Sequence, residues 1–314
     1  MPVRKLRLEV RFNFAHHRCG WSWVEDGIAA ELGADDAPTL FVGAVECHLA
    51  RTGKPIKKPW VGICHHAVEV PPGVERVYQA GPVSLRRYRD LLLASLTECR
   101  GIFTLSGHME TQLRELLGPS GPLVERLVHP TPLDVLPFSW DDYRRQTQPT
   151  IIQLGHFFRR FHAIYDLPTR RFDKMWLAGR QFDIDRILRL EGEVKHPTSL
   201  VSTPVRLPDD EYDFLLSRNL ALVPLYDASA CNSLLECIAR ATPVLTEALP
   251  AVIEYMGRDY PLYFQTLEDA ARKAEDDQAV RAAHEYLRDM TKLSFSRDYF
   301  VQSLAASNLY TSLP

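Results

Sequence analysis

Three polar residues at the start of one predicted helix could together bind a phosphate and a ribose. Asn232 and Ser233 favour the N-cap, where a helix leaves backbone N–H groups at the positive end of its dipole. Such an end is a ready site for a phosphate or a diphosphate. Glu236 lies one turn further along, and its carboxylate could accept hydrogen bonds from the hydroxyls of a ribose.

The same residues also have a purely structural interpretation. The run Ser233-Leu234-Leu235-Glu236 matches the capping box, in which the glutamate bonds back to the backbone of the N-cap residue. Because this pattern is common, it favours capping when it is taken alone. The segments that follow it, described below, favour the ligand instead.

A second group of polar residues comes at the ends of predicted strands in the first half of the chain. In an open parallel sheet, ligands bind beyond the carboxyl ends of the strands. We therefore expect these side chains to converge on one crevice. They are His16, His17, Glu46, His65, His66 and Ser106.

Some of the same loops hold residue types that bind zinc. The groups are His16/His17/Cys19, Cys47/His48 and Cys64/His65/His66. None of them has the paired spacing of a known structural zinc motif, so we expect no metal.

Two arginines, Arg159 and Arg160, follow the first predicted strand of the second half. A guanidinium stays charged and grips phosphate oxygens with a planar fork. These arginines are therefore candidates for binding phosphate, and a solvated basic turn is the alternative.

The elements that must position these residues alternate between strand and helix. Around Glu236 we predict a strand over 220–225, a helix opening at Asn232, a strand over 242–246 and a helix that starts at Ala251, just after Pro250. A mostly helical stretch is predicted over 267–304. This order predicts a parallel α/β unit.

The first half shows the same alternation. Its predicted strands cover residues 6–12, 39–45, 60–63, 101–105 and 124–128, and its predicted helices cover 24–32, 85–96 and 109–117. Residues 130–149 are rich in proline and form the predicted linker, so we expect domains at 1–147 and 148–314. In the second half we also predict strands at 151–154 and 174–177 and helices at 182–190 and 211–216.

The composition agrees with a globular enzyme or binding protein. The 314 residues are 46% hydrophobic and 25% charged, which suits one large or two medium domains. The net charge of −3 gives no sign of a general affinity for nucleic acid. No apolar run suggests a membrane span and none a signal peptide, so a cytoplasmic protein with reduced thiols is expected.

Three segments of the second half resemble a known family. They are NSLLECIA at 232–239, TPVL at 242–245 and LPAVIEY at 249–255. Together they are similar to the donor-binding half of GT-B glycosyltransferases, and most of all to the large retaining, family-4-like group. The resemblance covers the second half of the chain well and the first half loosely.

The resemblance implies both a fold and an activity. The implied fold is α/β, with two Rossmann-like domains facing a central cleft and C-terminal helices that cross back to the first domain. The implied reaction, a step of glycan biosynthesis, moves a sugar with retention from a UDP- or GDP-sugar to a glycan, lipid or protein acceptor. It requires no cofactor.

The resemblance also implies roles for individual residues. A glutamate in the position of Glu236 binds the ribose, while an arginine and a lysine neutralise the leaving diphosphate. Arg159 or Arg160 would be that arginine, and Lys174 would be the lysine. The other expected donor-binding residues are Asp227, Asn232, Ser233 and Glu254, with a solvated helix position as the alternative for Glu254.

The first-half residues are expected on the acceptor side. His65 is predicted to contact the acceptor or the donor sugar. His16, His17, Glu46, His66 and Ser106 would lie beside the acceptor.

One position departs from the family pattern. The resembled group usually carries a second glutamate eight positions before Glu236, and this chain has Ala228 there, beside Asp227. Either Asp227 substitutes, or the donor is handled differently, or the activity is weakened. The alternatives are a non-catalytic GT-B homologue that binds a nucleotide or a partner, a GT-B nucleotide-sugar epimerase, and a metal-dependent hydrolase that uses the histidines.

Overall fold

The chain folds into two compact units. A computed structural model describes residues 5–9, 21–69, 84–178, 200–204 and 207–314. The first unit comprises residues 1–131 and 293–314, and the second comprises residues 132–292. Each unit is built on a five-stranded parallel sheet, which confirms the predicted α/β class.

The first unit has its strands in sequential order. In the described residues they are β1 (Leu6–Leu8), β2 (Thr39–Val42), β3 (Trp60–Cys64), β4 (Cys99–Thr104) and β5 (Val124–Arg126), and their order across the sheet is β1-β2-β3-β4-β5. The helices are α1 (Trp21–Leu32), α2 (Val45–Thr52), α3 (Arg89–Ser95), α4 (Gly107–Leu117), and, after the second unit, α12 (Arg297–Ala306) and α13 (Asn308–Thr311).

The central strand β3 is buried along its whole length. Trp60 and Cys64 face a core cluster that includes Val45 of α2 and Met109 of α4. Because side chains alternate along a strand, Ile63 faces the other side of the sheet, where it is also buried. Burial on both faces explains why this segment reads as a continuous apolar run.

One predicted strand of the first unit runs into a segment that is a helix in the structure. The strand expected over 39–45 ends at Val42, and helix α2 begins at Val45. Gly43 lies between the two, and it has no room for a side chain because a Cβ there would lie 1.9 Å from Oε1 of Glu25 in α1. Glu46 therefore sits in the first turn of a helix and does not follow a strand directly. The strand expected over 6–12 is β1, and residues 10–12 lie outside the described residues.

The last helix of the chain docks on the sheet of the first unit. A Cβ on Gly101 of β4 would lie 2.2 Å from Cδ1 of Leu309 in α13. Glu125 of β5 accepts hydrogen bonds from the Asn308 side chain (3.0 Å) and from the Leu309 backbone (2.9 Å). Residues 293–314 thus complete the first unit.

This docking makes Gly101→Ala strongly destabilising. Gly101 has a φ of +154°, which residues with a side chain rarely adopt, and the added methyl would meet Leu309. We expect the free energy of unfolding to fall by about 1–3 kcal/mol because of overpacking. The unfavourable backbone conformation of an alanine at this φ should cost roughly 1–2 kcal/mol more. Gly118→Ala is the matched control, because Gly118 also has a positive φ (+74°) but nothing lies within 4 Å of its Cβ position. Equal losses for the two variants in urea unfolding would contradict the docking.

The second unit has the doubly wound order. Its strands are β6 (Thr150–Leu154), β7 (Asp173–Leu177), β8 (Val201–Ser202), β9 (Leu220–Val223) and β10 (Val244–Thr246), and their order across the sheet is β10-β9-β6-β7-β8. The order reverses between β6 and β9, so this pair marks the topological switch point where ligands bind in such sheets.

The helices of the second unit in the described ranges are α5 (Trp140–Arg145), α6 (Ala163–Asp166), α7 (Asp209–Leu216), α8 (Asn232–Arg240), α9 (Pro250–Met256), α10 (Leu267–Glu275) and α11 (Asp277–Asp289). The proline-rich segment predicted as a linker contains α5. The predicted helix over 182–190 lies outside the described residues. None of the helices in the described ranges has the length and apolarity that a membrane crossing requires.

Candidate functional site

Three segments meet at the switch point of the second sheet. They are the loop that follows β6, the loop that follows β9 and the amino end of α8. The backbone of Tyr226 donates to the carbonyl of Phe158 (3.0 Å), and that of Arg160 donates to the carbonyl of Pro224 (2.8 Å). These bonds hold the first two loops side by side.

Arg159 joins the loop after β6 to the amino end of α8. Its Nε donates to the carbonyl of Leu154 (3.0 Å), and Nη1 donates to the carbonyl of Phe157 (2.6 Å). Nη2 lies 3.1 Å from Sγ of Cys231 and donates to Oγ of Ser233 at 3.3 Å. The side chain is almost fully buried, so its positive charge is fixed where the helix dipole is also positive.

The loop reaches this arrangement through two left-handed residues. Gly155 has a φ of +74°, and its Cβ position would lie 3.6 Å from Nη2 of Arg159 and 3.8 Å from Oγ of Ser233. Phe158 has a φ of 57°, which is uncommon for a residue with a side chain. Together they turn the chain so that Arg159 points back along the loop.

The N-cap of α8 differs from the prediction. Cys231 occupies the N-cap position and makes no side-chain cap bond, while Asn232 and Ser233 form the first turn. The sequence favoured Asn232 and Ser233 because their side chains suit a cap. In the structure Ser233 bonds to Arg159 instead, so its hydroxyl lines the site.

Glu236 of α8 bonds to a tyrosine of a neighbouring helix. The carboxylate is buried and accepts a short hydrogen bond from the Tyr212 hydroxyl of α7. A capping box would need Ser233 at the N-cap, and α8 begins one residue earlier than that. In the structure Ser233 thus lies inside the first turn of α8, and the Glu236 carboxylate bonds to a tyrosine of another helix.

Arg160 and Glu247 form a second pair at the same edge of the sheet. Nε of Arg160 lies 3.6 Å from Oε1 of Glu247, and the guanidinium lies over the Tyr226 ring at 5.8 Å. Glu247 is buried, and its Oε2 accepts from the backbone of Leu225 at 2.8 Å. Burial raises the pKa of Glu247. Glu247 was not among the predicted site residues, although it directly follows β10, where ligands bind in a parallel sheet.

The other predicted donor residues are placed differently. Lys174 lies near the amino end of β7, at the sheet edge opposite Arg159, and donates to the carbonyls of Tyr165 (3.2 Å) and Leu167 (2.7 Å). Asp227 is half-buried and accepts from the backbone of Ala228 (2.8 Å). Glu254 lies on the exposed side of α9. The structure thus groups Arg159 with Ser233 and leaves Lys174 away from them.

In the first unit, the structure brings Glu46, His65 and His66 together. Oε1 of the buried Glu46 accepts from the backbone N–H groups of His65 (2.5 Å) and His66 (2.6 Å), and Nδ1 of His66 lies 3.9 Å from the same oxygen. Burial raises the pKa of Glu46 to about 7, and these hydrogen bonds oppose the shift.

The imidazole of His65 is enclosed by other rings. Its Nε2 lies 2.8 Å from the carbonyl of Gly43, so the proton sits on Nε2 and is donated there. The ring is edge-on to Trp21 at 4.3 Å and lies 6.4 Å from the His129 ring. Burial lowers the pKa of His65 to about 3, with a further contribution from His129, so the ring is neutral at pH 7.

Ser106, another predicted acceptor-side residue, does not join this group. Ser106 is fully buried and caps α4 by accepting from the backbone of Met109 (3.2 Å). Its position after β4 is thus accounted for by helix capping. His16 and His17, like Cys19, lie outside the described residues.

The described residues offer no group of three side chains that could hold a metal ion. Burial raises the pKa of the Cys47 and Cys64 thiols, which keeps them protonated. His48 pairs with the Glu9 carboxylate.

The Glu46 pKa predicts a pH-dependent stability. The pKa of Glu46 in the folded protein lies above the ordinary value of 4.5. The contribution of Glu46 to the free energy of unfolding is therefore full below pH 4.5 and is lost as the pH rises through about 7. The parent chain should lose this contribution between pH 5 and pH 8, whereas Glu46→Gln should not. The free energy of unfolding of the variant minus that of the parent should therefore rise with pH, by up to about 1.4 kcal/mol per pH unit. Urea unfolding at the two pH values measures this difference. His65 makes stability depend on pH in the opposite direction, but it is present in both proteins, so its contribution cancels when they are subtracted. Glu115→Gln, at an exposed position of α4, serves as the control. A pH-independent difference for Glu46→Gln would refute the assignment.

Known proteins match this chain in structure but not in sequence. No family model matches the sequence, and no curated protein matches it. Sucrose-phosphate synthase from Thermosynechococcus elongatus superposes with a TM-score of 0.64 at 16% identity, covering 93% of this chain and 77% of that one. HepE of Anabaena, in complex with UDP and glucose, superposes with a TM-score of 0.65 at 13% identity. The match covers 96% of this chain and 98% of HepE. Trehalose 6-phosphate synthase of Burkholderia multivorans superposes with a TM-score of 0.53 at 12% identity. The match covers 95% of this chain and 78% of the synthase.

These similar structures are GT-B glycosyltransferases. They match nearly the whole of this chain, across both parallel sheets, at identities too low to carry substrate or mechanism. The chain therefore has the GT-B fold of glycosyltransferases.

Proposed function

We propose that this protein is a glycosyltransferase that takes a sugar from a nucleoside diphosphate donor and passes it to an acceptor. The observation that carries the proposal is the Arg159 guanidinium, which is buried and held against Ser233 at the amino end of α8. This end lies at the switch point of a doubly wound sheet, where nucleotides bind.

The chemistry of the transfer needs positive charge at this place. When the bond between sugar and diphosphate breaks, positive charge develops at the anomeric carbon and negative charge on the diphosphate. A fixed guanidinium and the N–H groups of a helix end stabilise that negative charge without having to reorganise. The proposal therefore needs no metal ion, and it includes retention of the anomeric configuration.

The proposed donor is a UDP-sugar, with a GDP-sugar as the alternative. HepE, which shares the fold, has been solved with UDP and glucose, so UDP-glucose is the first compound to test. Glu236 would accept hydrogen bonds from the ribose. Arg160 would add charge near the diphosphate, and Asp227 would contact the sugar in place of the glutamate that Ala228 lacks.

The proposed acceptor side is the group of Glu46, His65 and His66. Glu46 fixes the backbone of both histidines, and His65 is neutral, so it would bind a hydroxyl by hydrogen bonding and not by charge. The acceptor would be a hydroxyl of a glycan, a lipid or a protein.

The experiment is incubation with a panel of UDP- and GDP-sugars, with and without sugar acceptors, followed by chromatography of the nucleotides. Release of free nucleoside diphosphate supports a transferase. Conversion of one sugar nucleotide into another without release would identify an epimerase.

A second candidate is a non-catalytic GT-B protein that binds a nucleotide. The buried Ala228 favours it, because a methyl group there cannot replace the carboxylate that the resembled group places near the donor sugar. Binding of UDP or GDP without any turnover across the panel would support this candidate.

A further inference from the structure

A buried tyrosine holds the carboxylate that is proposed to bind ribose. The Tyr212 hydroxyl of α7 donates a short hydrogen bond to Oε2 of Glu236 in α8. Glu236 is buried, so the direction of its carboxylate is set by the groups packed around it. Tyr212 is one of these groups, and it comes from a different helix.

A second link holds the same two helices together one turn further along. Nη2 of Arg240 bonds to Oδ1 of Asp213 at 2.5 Å, and Nη1 donates to the backbone carbonyl of Glu236 at 3.1 Å. The Arg240 guanidinium lies 5.9 Å from the centre of the Tyr212 ring and is almost wholly inaccessible to solvent. Because Tyr212 and Asp213 are adjacent in α7, this ion pair fixes where the tyrosine hydroxyl lies along the axis of α8, beside Glu236.

The chemistry of the pair suits a fixed donor and a fixed acceptor. Burial, and then the charge of Glu236, raise the pKa of Tyr212 well above its ordinary value, so the phenol keeps its proton. A carboxylate has two oxygens with two lone pairs each, so it can accept from a phenol and from other donors at the same time. A diol that presents two hydroxyls to the same carboxylate needs it held in one orientation, since a rotated carboxylate would meet only one of them.

We propose that Tyr212 is a positioning residue that sets the Glu236 carboxylate for the two ribose hydroxyls of the nucleotide. This inference rests on the proposed function. Its consequence is that preference for ribose over 2′-deoxyribose depends on a residue that does not itself touch the nucleotide.

The test measures the dissociation constants of UDP and 2′-deoxy-UDP by calorimetric titration, or of GDP and 2′-deoxy-GDP if GDP binds more tightly. The proteins are the full chain, Tyr212→Phe, Glu236→Gln and the double variant. We expect the parent chain to prefer the ribonucleotide about tenfold, the magnitude of one good hydrogen bond. Tyr212→Phe should reduce that preference at least threefold and change 2′-deoxynucleotide binding less than twofold.

The double variant adds a second readout. In the presence of Glu236→Gln, removing the Tyr212 hydroxyl should not change the preference any further, because both substitutions act through one carboxylate. Tyr260→Phe is the matched control: its buried hydroxyl bonds to the backbone of Val244 and not to Glu236. This control should lower the melting temperature without altering the preference.

The outcomes separate this inference from the proposed function. If Tyr212→Phe weakens both nucleotides equally, or leaves the preference unchanged, Tyr212 is structural and the inference is wrong, while the proposed function stands. If no variant and no parent protein binds UDP or GDP at millimolar concentration, both are wrong.

Discussion

Replacing Arg159 with methionine should lower the rate of sugar transfer by about two to three orders of magnitude, the usual effect of removing one fixed donor to a developing negative charge. The Arg159 guanidinium is buried at the amino end of α8, where a leaving diphosphate would lie. Turnover of the best donor in the panel, measured as release of nucleoside diphosphate, gives this rate. Affinity for UDP should fall as well, whereas affinity for uridine, which has no phosphate, should stay within about twofold.

The neighbouring arginine supplies the control for this prediction. Arg160→Met removes an equal charge one residue away, but its side chain is half-exposed and pairs with Glu247. We expect a smaller loss, since an exposed charge in water contributes less than a buried one. Thermal melts of both variants report any loss of folded protein, because Arg159 also bonds to the loop carbonyls of Leu154 and Phe157. If Arg160→Met slows transfer as much as Arg159→Met does, the assignment to Arg159 is wrong.

Glu236→Gln should weaken UDP binding by roughly 1–3 kcal/mol, which is about 5- to 150-fold in the dissociation constant. The reason is that a carboxylate accepts hydrogen bonds from hydroxyls more strongly than an amide does. The amide has the same shape, and its oxygen can still accept from Tyr212, so we expect the fold to persist. Calorimetric titration with UDP and with GDP measures the change.

Glu254→Gln is the matched comparison for this second prediction. Glu254 belongs to the same resembled stretch but lies on the exposed side of α9. A solvated position for Glu254 predicts unchanged nucleotide affinity in this variant, whereas a donor-binding role predicts weaker binding. Unaltered affinity in a folded Glu236→Gln protein would remove the ribose assignment, whatever Glu254→Gln does.

Strand and helix order was predictable because it depends on local patterns. The apolar runs of β3, β6 and β9 and the helical spacing of α8 are visible in the sequence, and the structure confirms these elements. The end of β2 was not predictable, because Ala44 and Val45 continue its apolar run. The glycine at the break, Gly43, is explained by the approach of Glu25 from α1, a tertiary contact that leaves no room for a side chain there.

Site residues could be predicted only where they follow a strand or open a helix. That rule found Arg159 and Ser233, but it could not choose between Arg159 and Arg160, since the choice depends on the left-handed turn at Gly155 and Phe158. Lys174 came from the resemblance and not from that rule, and its position on β7 puts it at the opposite sheet edge. Tyr212 carried no signal at all, because its contact with Glu236 exists only once α7 has packed on α8.

The first unit takes its residues from both ends of the chain, and this has a consequence for biosynthesis. Trp21 packs edge-on against Phe300 at 5.9 Å, and Gly101 lies against Leu309. A ribosome releases residues 132–292 before it releases these last partners, so the second unit can finish folding while the first still exposes the apolar surface they will cover. The usual order, in which the N-terminal domain folds first during translation, is thereby reversed. Nascent chains that stop short of residue 293 should be held by chaperones through their N-terminal half.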